Sequence, residues 1–489
     1  MITKRLIVIW IIISLIQPSL RFATTEPARA ANVVYKSGHI THSEVWTADN
    51  LYVIQDNLTI DQGVSLTIQP GTVVKFVENK VIGVYGILRI GVYGGPVFSN
   101  LLPLVLNGGS SAEANLSRTG RRNTPTQASQ DPVIITSIRD DTIGGDTNGD
   151  GNATAPDAGD WGHIAFLDTS VDSENILQNT TIRYGGYFNN GDHTYYNCFY
   201  CEYWGVLRFE SASPTITGNH ISKNHGYGLS ASIDSFPTVS DNLLELNGGN
   251  GLEIRGGTLS TITPVVYHWD NTDIVYALTG FTTVGSGVTL QIDPGVIVKV
   301  IDNRLIGVNG VLKAIGTPTQ PITITSLKDD TAGGDTNGDG SATAPDAGDW
   351  GHIAFLDTSV DSENLIQNTT IRYGGHFNNG DHTYYNCFYC EYWSAIYINN
   401  ASPTIQDNWI TSNNEGISTE NGALPTITGN SISGNNTFGL HNLDSAVVVV
   451  AEDNWWGDAS GPYHSSNPGG LGDPVSDYVD FTPWLVSPP

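Results

Sequence analysis

Methionine occurs once, at position 1, and only 14% of the 489 residues are charged. A chain of surface helices would need charged outer faces and a 3.6-residue apolar period. Helical periodicity is absent beyond the N-terminal segment. Gly (55 residues), Asn, Thr, Ser and Asp are plentiful instead, a composition of short strands broken by frequent turns. Basic residues are also scarce, with 21 Lys and Arg against 49 Asp and Glu, for a formal charge of −28. That charge repels nucleic acid and anionic membranes, so neither is expected as a partner, and divalent cations become the partners easiest to justify. Acidity also keeps a protein outside the cell in solution, which accounts for part of the charge.

Long apolar runs are missing after the start of the chain. The single run, residues 6–16, follows Lys4 and Arg5 and precedes Ala28-Arg29-Ala30, the small-x-small pattern at which signal peptides are cut. Residues 1–30 therefore read as a signal peptide, and the mature chain is expected to be secreted and monomeric. The run is shorter than the roughly 20 residues that cross a bilayer, so no membrane span is expected. Cysteine is nearly absent too: Cys198, Cys201, Cys387 and Cys390 form two Cys-x-x-Cys pairs.

What is present is present twice. Residues 144–204 and 333–393 match with four differences, Asn152/Ser341, Ile176/Leu365, Leu177/Ile366 and Tyr187/His376, at a shift of 189. Further upstream, residues 63–71 correspond to 287–295 at a shift of 224, so the first copy carries about 35 extra residues. These fall at 92–127, a Gly/Ser/Asn-rich stretch that reads as a surface loop. The organisation expected is a first copy over 31–260 with this insertion, then a second copy and C-terminal cap over 261–489.

A finer period runs inside each copy. Ser213-Pro214-Thr215-Ile216 returns 23 residues later as Phe236-Pro237-Thr238-Val239, and Pro403-Thr404-Ile405 returns 22 residues later as Pro425-Thr426-Ile427. Such a period means stacked coils, with alternate residues of each short strand facing inward. Asn follows the first strand of each rung, at Asn219, Asn242, Asn408, Asn430 and Asn454. Stacked Asn side chains can bond along the solenoid; alternatively, Asn simply tolerates left-handed turns. Both readings give coils. The expected fold is all-β, a right-handed parallel β-helix of two tandem homologous copies.

Several motifs carry a resemblance. They are Pro70-Gly71 and Pro294-Gly295 after alternating strands, Gly159-Asp160-Trp161-Gly162, Arg183-Tyr184-Gly185-Gly186, Ser213-Pro214-Thr215-Ile216 and the closing run from Asn454 through Trp455, Trp456 and Gly457 to Pro462. With them, nearly the whole mature chain resembles bacterial extracellular right-handed parallel β-helix repeat proteins of the pectate-lyase-like superfamily. That superfamily spans polysaccharide lyases, glycoside hydrolases and adhesins, so the resemblance implies fold and not task.

Asp146, Asn148, Asp150, Gly151 and Asp157 fit a twelve-position calcium loop, Asp-x-Asn-x-Asp-Gly-x5-acid, with Asp in the last place instead of Glu. Asp335, Asn337, Asp339, Gly340 and Asp346 repeat it, and Asn152 or Ser341 would offer a carbonyl. A hard cation wants six to eight oxygens, and alternate residues of a tight loop can aim side chains inward. No helices flank the loops, so their setting resembles dockerins and calcium-binding repeats. Calcium is the cofactor expected, although Asx-turns can form without any ion. Asp140, Asp141 and Asp160 add negative charge nearby.

Residues 187–204 interrupt the coils with Tyr195, Tyr196, Cys198, Cys201 and Trp204, mirrored by Tyr384, Tyr385, Cys387, Cys390 and Trp393. At about 23 residues per coil the copies stand about eight coils, about 40 Å, apart, too far for cross-copy disulfides. Local Cys198–Cys201 and Cys387–Cys390 bridges suit export; a zinc site with His193 and Asp192, or His382 and Asp381, is the competing reading. The aromatic residues either stack on sugar rings or pack on one another.

Two functions remain open. The first is a calcium-stabilised scaffold or adhesion-type protein binding an extracellular polysaccharide or cell-surface glycan. The second is a polysaccharide lyase or glycoside hydrolase acting on acidic polysaccharide, with Arg183 or Arg372 as base. The pairings of acids and bases familiar in such enzymes are not found, which favours the scaffold.

Overall fold

The computed structural model describes residues 32–92, 131–186, 205–261, 265–376 and 394–489. The expected signal peptide, all but the first residue of the 92–127 insertion, the four cysteines and Tyr195, Tyr196, Trp204, Tyr384, Tyr385 and Trp393 lie outside these residues.

Most sides of a coil are three to six residues long. In Thr215–Thr217 the central Ile216 is fully buried while both threonines face out. The next rung, Thr238–Ser240, sets Val239 directly on Ile216, so the alternation written in each strand becomes an unbroken apolar stack. The turn after each such strand uses a left-handed residue, Gly218, Asp241, Asp407, Gly429 or Asp453. The Asn comes one residue later and is free to act as a ladder. Asn219 donates its amide and its Nδ2 to Asn242 Oδ1, and Asn408 and Asn430 do the same to Asn430 and Asn454. A second ladder, Asn224–Asn247 and Asn413–Asn435, runs at the next corner. In the second half it ends on Asp473, whose carboxylate accepts the Asn435 amide and Nδ2.

Three parallel columns form the walls of the first half of the chain. Face 1 stacks Val73–Phe76, Val133–Ser137, Thr180–Arg183, His220–Ser222 and Leu243–Glu245. Face 2 stacks Ile82–Val84, Ile164–Phe166, Leu207–Phe209, Tyr227–Ala231 and Gly249–Ile254. Face 3 runs from Glu44–Trp46 to Thr238–Ser240. The segments of matching sequence in the second half pair in the same way: Ile297–Val300, Ile322–Ser326 and Thr369–Arg372 repeat face 1, and Ile306–Val308 with Ile353–Phe355 repeats face 2.

The join between them shifts by one wall. Gly249–Ile254, last of face 2, pairs with Tyr276–Leu278, which by sequence is the opening strand of face 1 in the second half. The second half is thereby turned by about a third of a revolution. Pairing and core continue across 260/261 without a break, and one apolar cluster runs from Ile40 to Phe481. The spacing differs from expectation as well. From Ile164–Phe166 to Ile322–Ser326 the ladder takes six steps, about 29 Å at about 4.8 Å per rung. The acidic loop and the insertion lengthen coils without adding rungs, so 189 residues make six coils and not eight.

Candidate cation-binding loops

The outer surface of face 1 is where the first acidic loop sits. Val74 and Phe76 point into the core, so Val73 and Lys75 point out, yet Lys75 is fully buried. Leu51, Val53 and Val73, joined by Ile134, Ile138 and Ile143, make a small second core outside the solenoid wall, and the segment after Val133–Ser137 folds down over it. Gly144 permits this, because a Cβ there would lie 2.3 Å from Leu51 Cδ1. Beneath the loop, Lys75 Nζ donates to Gly145 O and Thr147 Oγ1, each at 2.8 Å. In the second half Lys299 Nζ donates to Gly334 O at 2.6 Å. Burial lowers both ammonium pKa values, that of Lys299 to about 8.

An ion pair to a buried aspartate anchors each loop. Arg183 Nη2 lies 2.7 Å from Asp140 Oδ2, and Arg372 Nη2 lies 2.7 Å from Asp329 Oδ2. Burial alone would raise these carboxyls, but hydrogen bonds from Thr136 and Thr142, or Thr325 and Thr331, together with the arginine, hold them below the usual range. Both arginines are thus committed to a carboxylate, which removes them as free bases.

The next residue is different. Both carboxylate oxygens of Asp141, and Oδ1 of Asp330, are buried with no hydrogen-bond partner. Their pKa values are raised, first by burial and then by the charge of Asp146 or Asp335. Carboxylate oxygens of Asp141, Asp146 and Asp150 lie within 4.8 Å of one another, as do those of Asp330, Asp335 and Asp339. The loop amides shape the group: Asp146 accepts from Gly149, Asp150 and Gly151, and Asp335 accepts from Asp339 and Gly340. Asn148 bonds Asp150 and Thr154, and Asn337 bonds Asp339 and Thr343. With Asp140 neutralised by Arg183, three carboxylates face one ammonium, and the surplus is two negative charges, the charge a divalent cation would supply.

Four of the ten residues expected as ligands are therefore gathered: Asp146, Asp150, Asp335 and Asp339. Asn148 and Asn337 brace them, while Asn152 and Ser341 are exposed at positive φ. Asp157 and Asp346 are not in the groups. Each accepts the amide of the following Ala at 2.8 or 2.9 Å, and its own amide donates to Asp160 or Asp349, so its turn faces another way. Asp141 and Asp330 take the third place. Their only sequence signal is a second acid beside Asp140 or Asp329.

The motifs around the loops are structural. Asp160 Oδ2 accepts from Ser137 and Asp349 Oδ2 from Ser326. Trp161 and Trp350 enter the core and donate Nε1 to Arg183 O and Arg372 O. Gly185 and Gly374 make room, since a Cβ at either would lie 2.7 or 2.8 Å from an indole ring.

Residues 162–268 match a family model described as the right handed beta helix region. The fold is a right-handed parallel β-helix. No curated protein and no solved structure matches the chain. The handedness also agrees with the strong preference of parallel crossovers.

The two loops of this β-helix are not equivalent. The second rests on the last coil of the first half: Asn250 N donates to Thr336 O at 2.8 Å and Asn250 Nδ2 to Asp335 O at 3.1 Å. A Cβ on Gly338 would lie 2.4 Å from Asn247 O, whereas one on Gly149 would meet nothing within 4 Å. Both glycines have similar positive φ, 72° and 76°, so their strain on substitution is alike. Gly338→Ala is expected to cost about 1–3 kcal/mol more than Gly149→Ala, read as the difference in urea midpoints. Equal costs would show that the second loop does not clasp the join.

Proposed function

We propose that this chain is an exported, calcium-stabilised β-helix scaffold that binds glycan outside the cell and acts by binding, not by catalysis. The observation that carries the reading is the repeated trio of carboxylates, Asp141, Asp146 and Asp150 and then Asp330, Asp335 and Asp339, with buried unpartnered oxygens on Asp141 and Asp330. A buried carboxylate without a donor is costly, and a cation restores what burial removes. With Asp157 and Asp346 turned away, each group lacks the bidentate last ligand of a typical loop, which suits a weak site, as in extracellular modules. Support for the non-catalytic part comes from the placement of the loops. They lie six rungs and one wall apart, so no single groove unites them, and Arg183 and Arg372 are held in ion pairs.

Melting the full chain with millimolar calcium and with a chelator tests this. Calcium at about 30 times its dissociation constant stabilises by about 2 kcal/mol per site, so the melting temperature should fall by several degrees on chelation, and magnesium should restore less than calcium. A depolymerisation screen on acidic polysaccharides, with calcium present, should release no new chain ends. Melting curves indifferent to the chelator, or calcium-dependent cleavage, would overturn the reading.

A further inference from the structure

The near-identity of the two halves stops at Trp393, and the remaining C-terminal stretch holds a pattern that the first half lacks. The tripeptide Asp-Asn-Trp occurs twice, at 407–409 and 453–455, with Gly429-Asn430-Ser431 on the rung between. The three asparagines are the buried ladder, so the residue after each lies on one outward row. Trp409 pairs with Ser431, and Ser431 bridges to Trp455. The intervening Ile410 and Ile432 are fully buried, which fixes Trp409 and Ser431 on the outside. Both tryptophans are partly exposed. On the corresponding row of the first half, His220 and Leu243 follow Thr181 as Trp409 and Ser431 follow Thr370.

We infer that Trp409 and Trp455 form a stacking platform for an extended, neutral β-1,4-linked glycan running along the solenoid axis. The inference rests on the reading of the chain as a glycan-binding scaffold and names its site and ligand class. Alternate rungs are about 10 Å apart, close to the distance at which an extended β-1,4 chain presents rings of the same facing. Ser431 is small and covered, at 6% exposure, so no side chain is raised between the two indoles, and sugar rings stack on aromatic faces while their hydroxyls seek polar groups. The neighbouring outward row, Arg372, Thr411 and Ser433, supplies hydroxyls, and its one cation is held by Asp329. The exposed Asp407 and Asp453 stand at the adjoining corner. Their carboxylates accept hydrogen bonds from sugar hydroxyls and repel uronates, as does the net charge of −28. Gly429 belongs to this arrangement, because a Cβ there would lie 2.6 Å from Asp407 Oδ1.

The test is tryptophan-fluorescence and calorimetric titration of the full chain with cellohexaose and chitohexaose, and with polygalacturonate as the anionic arm. Wild type should bind at least one neutral hexasaccharide and bind polygalacturonate more weakly. Trp409→Ala and Trp455→Ala should each lose about tenfold in affinity, Trp409→Phe should keep most of it, and all should melt as wild type does with calcium. Unchanged affinity in both alanine variants, or a preference for polygalacturonate, would overturn the platform while leaving the scaffold reading in place. Failure of wild type to bind either hexasaccharide also overturns it. If a broad glycan array is blank as well, glycan binding by the scaffold falls with it, a result independent of the calcium melting curves.

Discussion

Replacing Trp350 by alanine is expected to lower the free energy of unfolding by about 3–5 kcal/mol. The side chain is fully buried, its Nε1 satisfies Arg372 O at 2.8 Å, and Gly374 is fitted against the ring. Alanine leaves a cavity and an unpaired carbonyl, and the walls cannot collapse because each strand is fixed by rungs above and below. Arg372 is the residue whose carbonyl is lost and whose guanidinium anchors Asp329, so the second acidic loop should loosen too. Trp161→Ala should cost a similar amount, with the loss of a stack on Phe76 at 4.3 Å between centroids. The sites are six rungs apart, so the double variant should show near-additive losses. Urea unfolding monitored by circular dichroism measures this; a loss below about 1 kcal/mol would mean that the corner is not closed around the indole.

Acid should destabilise the protein well above the carboxylate range. His352 is 3% exposed, and neither ring nitrogen has a hydrogen-bond partner. Burial pushes its pKa down to about 4, so in the native state it stays neutral while the unfolded chain takes up a proton near pH 6.5. The unfolded state then binds more protons between those values, and stability falls as pH falls through that window. At pH 5 the contribution is about 2 kcal/mol. His163, lowered to about 3 by burial and then by Arg208 and Arg255, acts in the same direction. Melting temperature should therefore drop between pH 7 and pH 5, and His352→Leu should flatten part of that slope. A curve level across this range would contradict the buried, neutral assignment.

The period of 22 to 23 residues, the inward Ile and Val of each strand and the ladder Asn were legible because each is written in local spacing. The one-wall shift at 249–278 was not, since it depends on which strand Gly249–Ile254 meets, and no spacing in sequence records that. Rung count was overestimated for a related reason: residues that leave the wall still lengthen the chain. For the loops, Asp146 and Asp150 came from a linear pattern, but the last position did not. A helix after the loop would bring position twelve back; here the chain turns at Asp157 toward Asp160, and a residue before the loop, Asp141, fills the gap. The outward Trp409 and Trp455 became visible as a pair only when the register set them two rungs apart on one wall.

Isothermal titration of the metal-free full chain with calcium tests the central claim most directly. Two ions should bind per chain, with Asp141→Asn removing one and Asp330→Asn the other, while Asp157→Asn and Asp346→Asn leave both. No binding heat at millimolar calcium, or loss of binding through Asp157 and Asp346 in place of Asp141 and Asp330, would contradict it.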